Sequence, residues 1–292
     1  MSHDSYCNRV YFSALLPEVS PVAYKGLVSV LEKYDVPYSL LKGTKDIWCR
    51  DYMPVQIYGD HFVAFGYNPD YLNDTGEHKA SITDTMEVCR LNGITRVHDC
   101  RDVILDGGNV VRGESKIIMT SKVFEENPGW RVSQLSQYLE RNLLGEIIFL
   151  PWDMEEVYGH TDGFVRFIDD DKVLMTNYWD FDEDYANRFF DCLKPHFKSI
   201  KDLRYKVKEP NENNWAYVNW LQTDNVLILP KFDIPEDELA FHQIEKFMPS
   251  YKGRIEMVDA RDLVCHEGCF NCCSWTIREE NRYDLPNEIT LI

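Results

Sequence analysis

The chain has 292 residues, 44% hydrophobic and 13% aromatic, enough to bury a large core in one or two domains. A formal net charge of −18 and a pI near 4.8 make it a poor candidate for nucleic-acid backbones or anionic membranes and favour cationic partners. No run of about twenty apolar residues is present, so no membrane span is expected. The opening MSHDSYCNRVYFSALLPEV has no basic segment leading into an apolar stretch, so no signal peptide is expected either and the compartment reads as cytoplasmic. Nine irregularly spaced cysteines fit free thiols better than a disulfide framework.

In chain order, RVYFSALL is the first β-rich run, followed by an amphipathic helix opened by Ser20-Pro21, with Tyr24, Leu27, Val28, Leu31 and Tyr34 on one face. HFVAFGY precedes a second helix over Ser81 to Asn92 that stops at Gly93. KIIMTSKV leads to a third, Trp130 to Leu144, with Leu135, Tyr138, Leu139 and Leu143 aligned before Gly145. EIIFLPW, DGFVRFI and KVLMTNY come before a fourth, Glu183 to Leu193, ahead of Pro195. WAYVNWL and NVLILPKF precede a fifth, between Pro235 and Pro249. One helix with several strands, recurring every fifty to sixty residues, predicts five units in blades or a closed array.

The chemically unusual residues keep the same beat. Asp106 follows Asp51 by 55 positions, His160 follows by 54, Asn219 by 59 and Cys272 by 53. If the units are equivalent around an axis, these positions meet at one end of it. In DIWCRDYMP, Trp48 and Asp51 suit a flat cation, by stacking and by bidentate hydrogen bonding. In LDGGNVV, Asp106 stands before two glycines that permit close backbone approach, although an ordinary Asp-Gly turn has the same sequence. In GHTDGFVRF, His160 and Asp162 share a face if the segment is a strand, so that an imidazole handles protons while a carboxylate grips substrate.

VCHEGCFNCC, Val264 to Cys273, leaves three readings open. Cys265, Cys269 and Cys272 spell CxxxCxxC, a metal spacing, yet there is no second CxxC and a fourth ligand from His266 or Cys273 is cramped. The thiols could simply be buried. Or Cys272 is a nucleophile that needs a base and a polarised electrophile. One Cys, one His and several acids converging on a planar cation make up the equipment for guanidinium chemistry.

These motifs resemble the guanidine-modifying enzymes, most closely the agmatine deiminases and bacterial peptidylarginine deiminases. That family carries WxRDxGP, an acidic residue before Gly-Gly, GHxD with RF after it, and GGxHC. Here they stand in order as Trp48-Cys49-Arg50-Asp51, Asp106-Gly107-Gly108-Asn109, Gly159-His160-Thr161-Asp162 with Arg166-Phe167, and Gly268-Cys269-Phe270-Asn271-Cys272. The resemblance spans roughly residues 40 to 275. It implies an α/β fold, a pseudo-fivefold α/β propeller (pentein) of five ββαβ-type repeats around a central active site, with residues 1–292 as a single catalytic domain.

By the same resemblance, Cys272 attacks the guanidinium carbon and Asp51 and Asp162 bind its nitrogens. His160 protonates the leaving amine and then activates water, Asp106 orients His160, and Trp48 and Asn219 contact the substrate. No metal or organic cofactor is implied. The partner is a small cationic guanidino compound, by default agmatine, with self-association into a homo-oligomer left open. Departures from the pattern are Met53 for Gly, Asp106 for Glu, Asn271 for His, and a glycine run reduced to Gly268. Amidino transfer on the same fold and a non-catalytic guanidinium- or metal-binding propeller are the alternatives.

Overall fold

The apolar stripes become the inner faces of five crossover helices. The structure, a computed structural model, describes residues 3–154, 156–206 and 213–280. Helix α1 (Pro21–Lys33) opens on proline and buries Ala23, Leu27, Val30 and Leu31. Helix α2 (Thr85–Leu91) is shorter than the sequence predicts. The Asp84 side chain accepts hydrogen bonds from the Met86 and Glu87 amides and so fixes the start, while Ser81 ends a separate helix, Gly76–Ser81. Helix α3 (Val132–Leu143) buries Leu135, Leu139 and Leu143. Helix α4 (Glu183–Leu193), capped by Asp182, buries Tyr185, Ala186, Phe189 and Leu193. Helix α5 (Glu236–Phe247) starts with three acids, favourable at the positive end of the helix dipole.

Among the described residues the strands are β1 Arg9–Ser13, β2 Tyr38–Leu41, β3 Val55–Tyr58, β4 His61–Gly66, β5 Val97–Ile104, β6 Val111–Arg112, β7 Lys116–Thr120 and β8 Glu146–Leu150. They continue as β9 Val165–Asp169, β10 Lys172–Met175, β11 Ser199–Asp202, β12 Leu221–Gln222, β13 Leu227–Lys231, β14 Ile255–Asp259 and β15 Ser274–Ile277. They form five separate three-stranded sheets. In each, two antiparallel strands are followed by a crossover helix and a third strand parallel to the second, as in β3–β4–α2–β5. The fifth sheet is assembled from both ends of the chain: β15 pairs antiparallel with β1 in the register Arg9↔Ile277, and β1 pairs parallel with β2 across α1. The fold is therefore the pseudo-fivefold α/β propeller of ββαβ units that the spacing and resemblance predict.

Two apolar runs differ from expectation. WAYVNWL is mostly a 3-10 turn, Asn214–Val218, and only Leu221 and Gln222 join a sheet. Because Tyr217, Val218 and Trp220 are fully buried, the run has no polar face and its periodicity carries no shape information. KIIMTSKV is a strand only to Thr120; Lys122–Glu126 is helical.

Arg50, Arg112 and Arg166 lie buried close to the axis turns. Asp4, from a 3-10 turn near the start of the chain, supplies their shared carboxylate, 3.0 Å from Arg166 Nη2 and 3.9 Å from Arg112 Nη2. Burial alone would raise the Asp4 pKa, but Arg166, Arg50 and Arg112 hold it down at about 2.

Candidate active site

The regular beat has a topological cause. Each unusual residue sits in the turn that carries the chain from the parallel strand of one unit into the antiparallel pair of the next. Asp51 belongs to a single helical turn, Cys49–Tyr52, between β2 and β3. Asp106 precedes the 3-10 turn Gly107–Asn109 between β5 and β6. His160 and Asp162 flank Thr161 at the next such turn, Thr161–Gly163, before β9. Asn219 closes the turn before β12, and Cys272 lies in the turn between β14 and β15. The expected strand at His160–Asp162 is thus a tight turn. It is set by Gly159, which has φ +64° and whose missing Cβ would lie 2.7 Å from the Lys122 side chain.

These turns pack so tightly that their side chains meet. A Cβ on Gly107 would lie 2.0 Å from the Arg50 carbonyl oxygen, so only glycine lets the second turn lie on the first. The Gly108 amide donates to Asp51 Oδ1 at 2.9 Å. His160 stands between two carboxylates, with Nε2 3.0 Å from Asp106 Oδ2 and Nδ1 3.6 Å from Asp51 Oδ1. Cys272 Sγ lies 3.6 Å from Asp162 Oδ2, and the Asn271 amide donates to that same oxygen at 2.6 Å. Asp106 Oδ1 and Asp162 Oδ1 are buried with no hydrogen-bond partner among the described residues.

The electrostatics follow from this crowding. Burial opposes charge on the imidazole, yet Asp51, Asp106 and Asp162 raise the His160 pKa to about 10. Burial raises Asp51 to about 8, against the pull of His160 and with the push of Asp106 and Asp162. Burial, then Asp162 and Asp51, push the Cys272 thiol well above its usual range, and the residue is only 8% exposed. Three aspartates face one imidazole here, and this excess of acid favours the protonated thiol.

Asn219 differs from its expected place against substrate. It is fully buried, its Oδ1 accepts from the Asn271 and Cys272 amides at 3.1 and 3.2 Å, and its Nδ2 donates to the Asp162 carbonyl at 3.3 Å. The side chain is committed to holding the cysteine turn. Trp48 packs its ring over Gly268 and lines an open groove of about 390 Å³ with Lys45, Asp46, His266 and Glu267. Tyr158 stands between groove and imidazole: its hydroxyl donates to Glu267, and its ring centre is 6.0 Å from that of His160.

Tyr71 is a site residue that the sequence did not single out. Its hydroxyl donates to Asp106 Oδ2 at 2.8 Å, the same oxygen that faces His160. It comes from the loop after β4, and no spacing points to it. Tyr158, next to Gly159-His160, was within reach of a closer reading. As for CxxxCxxC, Cys265 is exposed while Cys269 and Cys272 are buried, and among the described residues no three metal-binding side chains are grouped to hold an ion.

A five-unit α/β propeller with Cys, His and carboxylates in its axial turns places the chain among pentein-fold proteins. It is similar in structure to the C. jejuni agmatine deiminase, with a TM-score of 0.76 at 19% identity over 97% of this chain and 96% of that one. DDAH from Pseudomonas aeruginosa shares the fold at a TM-score of 0.58 and 12% identity, over 93% of this chain and 100% of that one. In sequence it is 25% identical over 274 residues to the agmatine deiminase of Pseudomonas syringae pv. tomato, covering 78% of this chain and 73% of the relative. The model of the Porphyromonas-type peptidyl-arginine deiminase family matches residues 31–277, and the chain belongs to that family.

Proposed function

We propose that this protein hydrolyses a small guanidino compound, agmatine-like, to a ureido product and ammonia through a covalent intermediate on Cys272, with residues 1–292 acting as one catalytic unit. The observation that carries this reading is the buried Asp162 Oδ1, without a hydrogen-bond partner among the described residues, in the cluster of acids that holds His160 and the Cys272 sulfur. Buried anions with unused acceptors call for a cation with several N–H donors, and a planar guanidinium has them.

Asp51 and Asp162 hold the guanidinium nitrogens. The arriving cation lowers the thiol pKa, so the proton on sulfur is released to solvent as substrate binds. Sulfur adds to the central carbon, and His160, cationic between Asp51 and Asp106, gives its proton to a terminal amino group, which leaves as ammonia as its C–N bond breaks. The neutral imidazole then takes a proton from water as that water attacks the thiouronium carbon. The C–S bond breaks, and the ureido product leaves. Asp106, held by Tyr71, keeps the ring oriented throughout.

The Trp48 groove is lined by Asp46 and Glu267 but also by Lys45 and His266, so its charge does not choose the tail. Agmatine as substrate is supported by the similarity to agmatine deiminases. The nine cysteines are free, which supports a reducing compartment such as the cytoplasm. Among the described residues no helix is long and apolar enough to cross a membrane.

The test is a panel of agmatine, arginine, arginyl peptides and methylated arginines, scored for ammonia and ureido product with and without an acceptor amine. Agmatine turnover that drops by about a thousandfold or more in Cys272→Ala is the expected result. Full activity in that variant overturns the nucleophile. An amidino product with the acceptor amine converts the reaction to transfer.

A further inference from the structure

We infer that Asn271 is a positioning residue that decides which oxygen of Asp162 meets the guanidinium, a role that rests on the function proposed above. Its amide is oriented without ambiguity. Arg50 Nη2 donates to Asn271 Oδ1 at 3.2 Å, and an arginine can only donate, so the NH₂ group must face Asp162. That group donates to Asp162 Oδ2 at 2.6 Å. The main chain of Asn271 is held as well, with its amide on Asn219 Oδ1 at 3.1 Å and its carbonyl accepting from Arg50 Nε at 3.4 Å. The side chain is 4% exposed and cannot swing away without abandoning Arg50 and Asp162 together.

The consequence is a division of labour within one carboxylate. Oδ2 is occupied by the Asn271 amide and the Cys272 sulfur, while Oδ1 is buried with no hydrogen-bond partner among the described residues. A neutral donor is required here, because it ties down Oδ2 without cancelling the negative charge that draws in the cation. A carboxylate at this position would sit at hydrogen-bonding distance from Asp162 and repel it until the two shared a proton. The charged groups against this amide are Arg50 and Asp162; Cys272 meets Asp162, His160 and Arg166 interact with Asp162, and Asp51 interacts with Cys272.

Three variants test the role: Asn271→Asp, Asn271→His and Asn271→Ala. For N271D, kcat/KM on agmatine should fall at least tenfold above pH 7 and recover most of that loss near pH 5.5, where a shared proton restores a donor to Asp162 Oδ2. N271H, with a ring N–H in reach of the same oxygen, should retain activity within about threefold of the unmodified protein. N271A should raise KM at least tenfold with a smaller change in kcat, which a merely structural defect would not produce. A pH profile of N271D parallel to that of the unmodified protein overturns the assignment. If N271D does not fold, a fall of kcat in N271A with KM unmoved overturns it instead. The functional reading fails separately, if the unmodified protein turns over no guanidino compound. In that event calorimetric binding of guanidinium to the unmodified protein and to N271A decides the role of Asn271, with at least tenfold weaker binding expected and equal binding overturning it.

Discussion

Three aspartates, an imidazole and a thiol share a few ångströms of buried space, and the protein resolves their conflict by holding protons. Burial keeps Asp51 up at about 8 and the Cys272 thiol higher still. A bound cation favours the ionised form of both, so their proton affinity falls on binding and protons are released. Binding of agmatine to Cys272→Ala, which cannot turn it over, isolates the carboxyl share. Calorimetry between pH 7 and 8 in buffers of different ionisation enthalpy should report net proton release that fades well above pH 8, where Asp51 is already ionised. Zero release throughout that range would show that Asp51 enters binding already charged. The individual residues were legible in sequence because each stands in a short motif. Tyr71 and the hydrogen bonds of Asn219 were not, because a hydroxyl reaching Asp106 and an amide oxygen accepting from backbone N–H groups are contacts between distant segments.

At the scale of elements, function depends on turns more than on strands or helices. The helices were legible from apolar periodicity and caps, with Asp84 moving the start of α2 past the expected boundary. A charged strand such as β5, with only Cys100 and Val103 buried, gave no apolar signal. The axial turns looked like strand ends or hairpins in sequence, since glycine marks a turn without saying what lies against it. The contact of Gly107 with the Arg50 carbonyl shows what was hidden. Gly107→Ala places a methyl group 2.0 Å from that oxygen and must push the Asp106 turn off the Asp51 turn. We expect a loss of about 1–3 kcal/mol of stability in chemical denaturation. Turnover should fall about a hundredfold, since a shift near 1 Å misplaces the group that orients His160. Unchanged turnover would mean the turn relaxes without moving Asp106.

At the scale of the whole molecule, five units must close, and the chain closes them by pairing β15 with β1. The arginine cluster adds a second closure, since Asp4 near one end of the chain pairs with Arg112 in β6 and Arg166 in β9, the strands that follow the second and third axial turns. The Asp4 pKa is depressed from 3.8 to about 2, so its stabilisation is present above about pH 4 and is lost as pH falls through 2. That shift corresponds to roughly 2 kcal/mol. Asp4→Asn should lower the thermal midpoint at pH 7 and flatten the acid limb of the stability curve between pH 4 and 2. An unchanged acid limb would place the ionic closure elsewhere.

The sequence by itself determined the number of units and the crossover helices and offered the candidate reacting groups, because each of these is written locally, as apolar periodicity, caps and short motifs repeated at a nearly constant interval. Only the tertiary structure decided which atoms face each other. It committed Asn219 to the backbone, set Tyr71 on Asp106, and left one oxygen of Asp162 unpaired while Asn271 holds the other. The physical reason is that hydrogen-bond partners and proton affinities in a buried cluster depend on distances between segments 35 to 109 residues apart, and no local pattern encodes those distances.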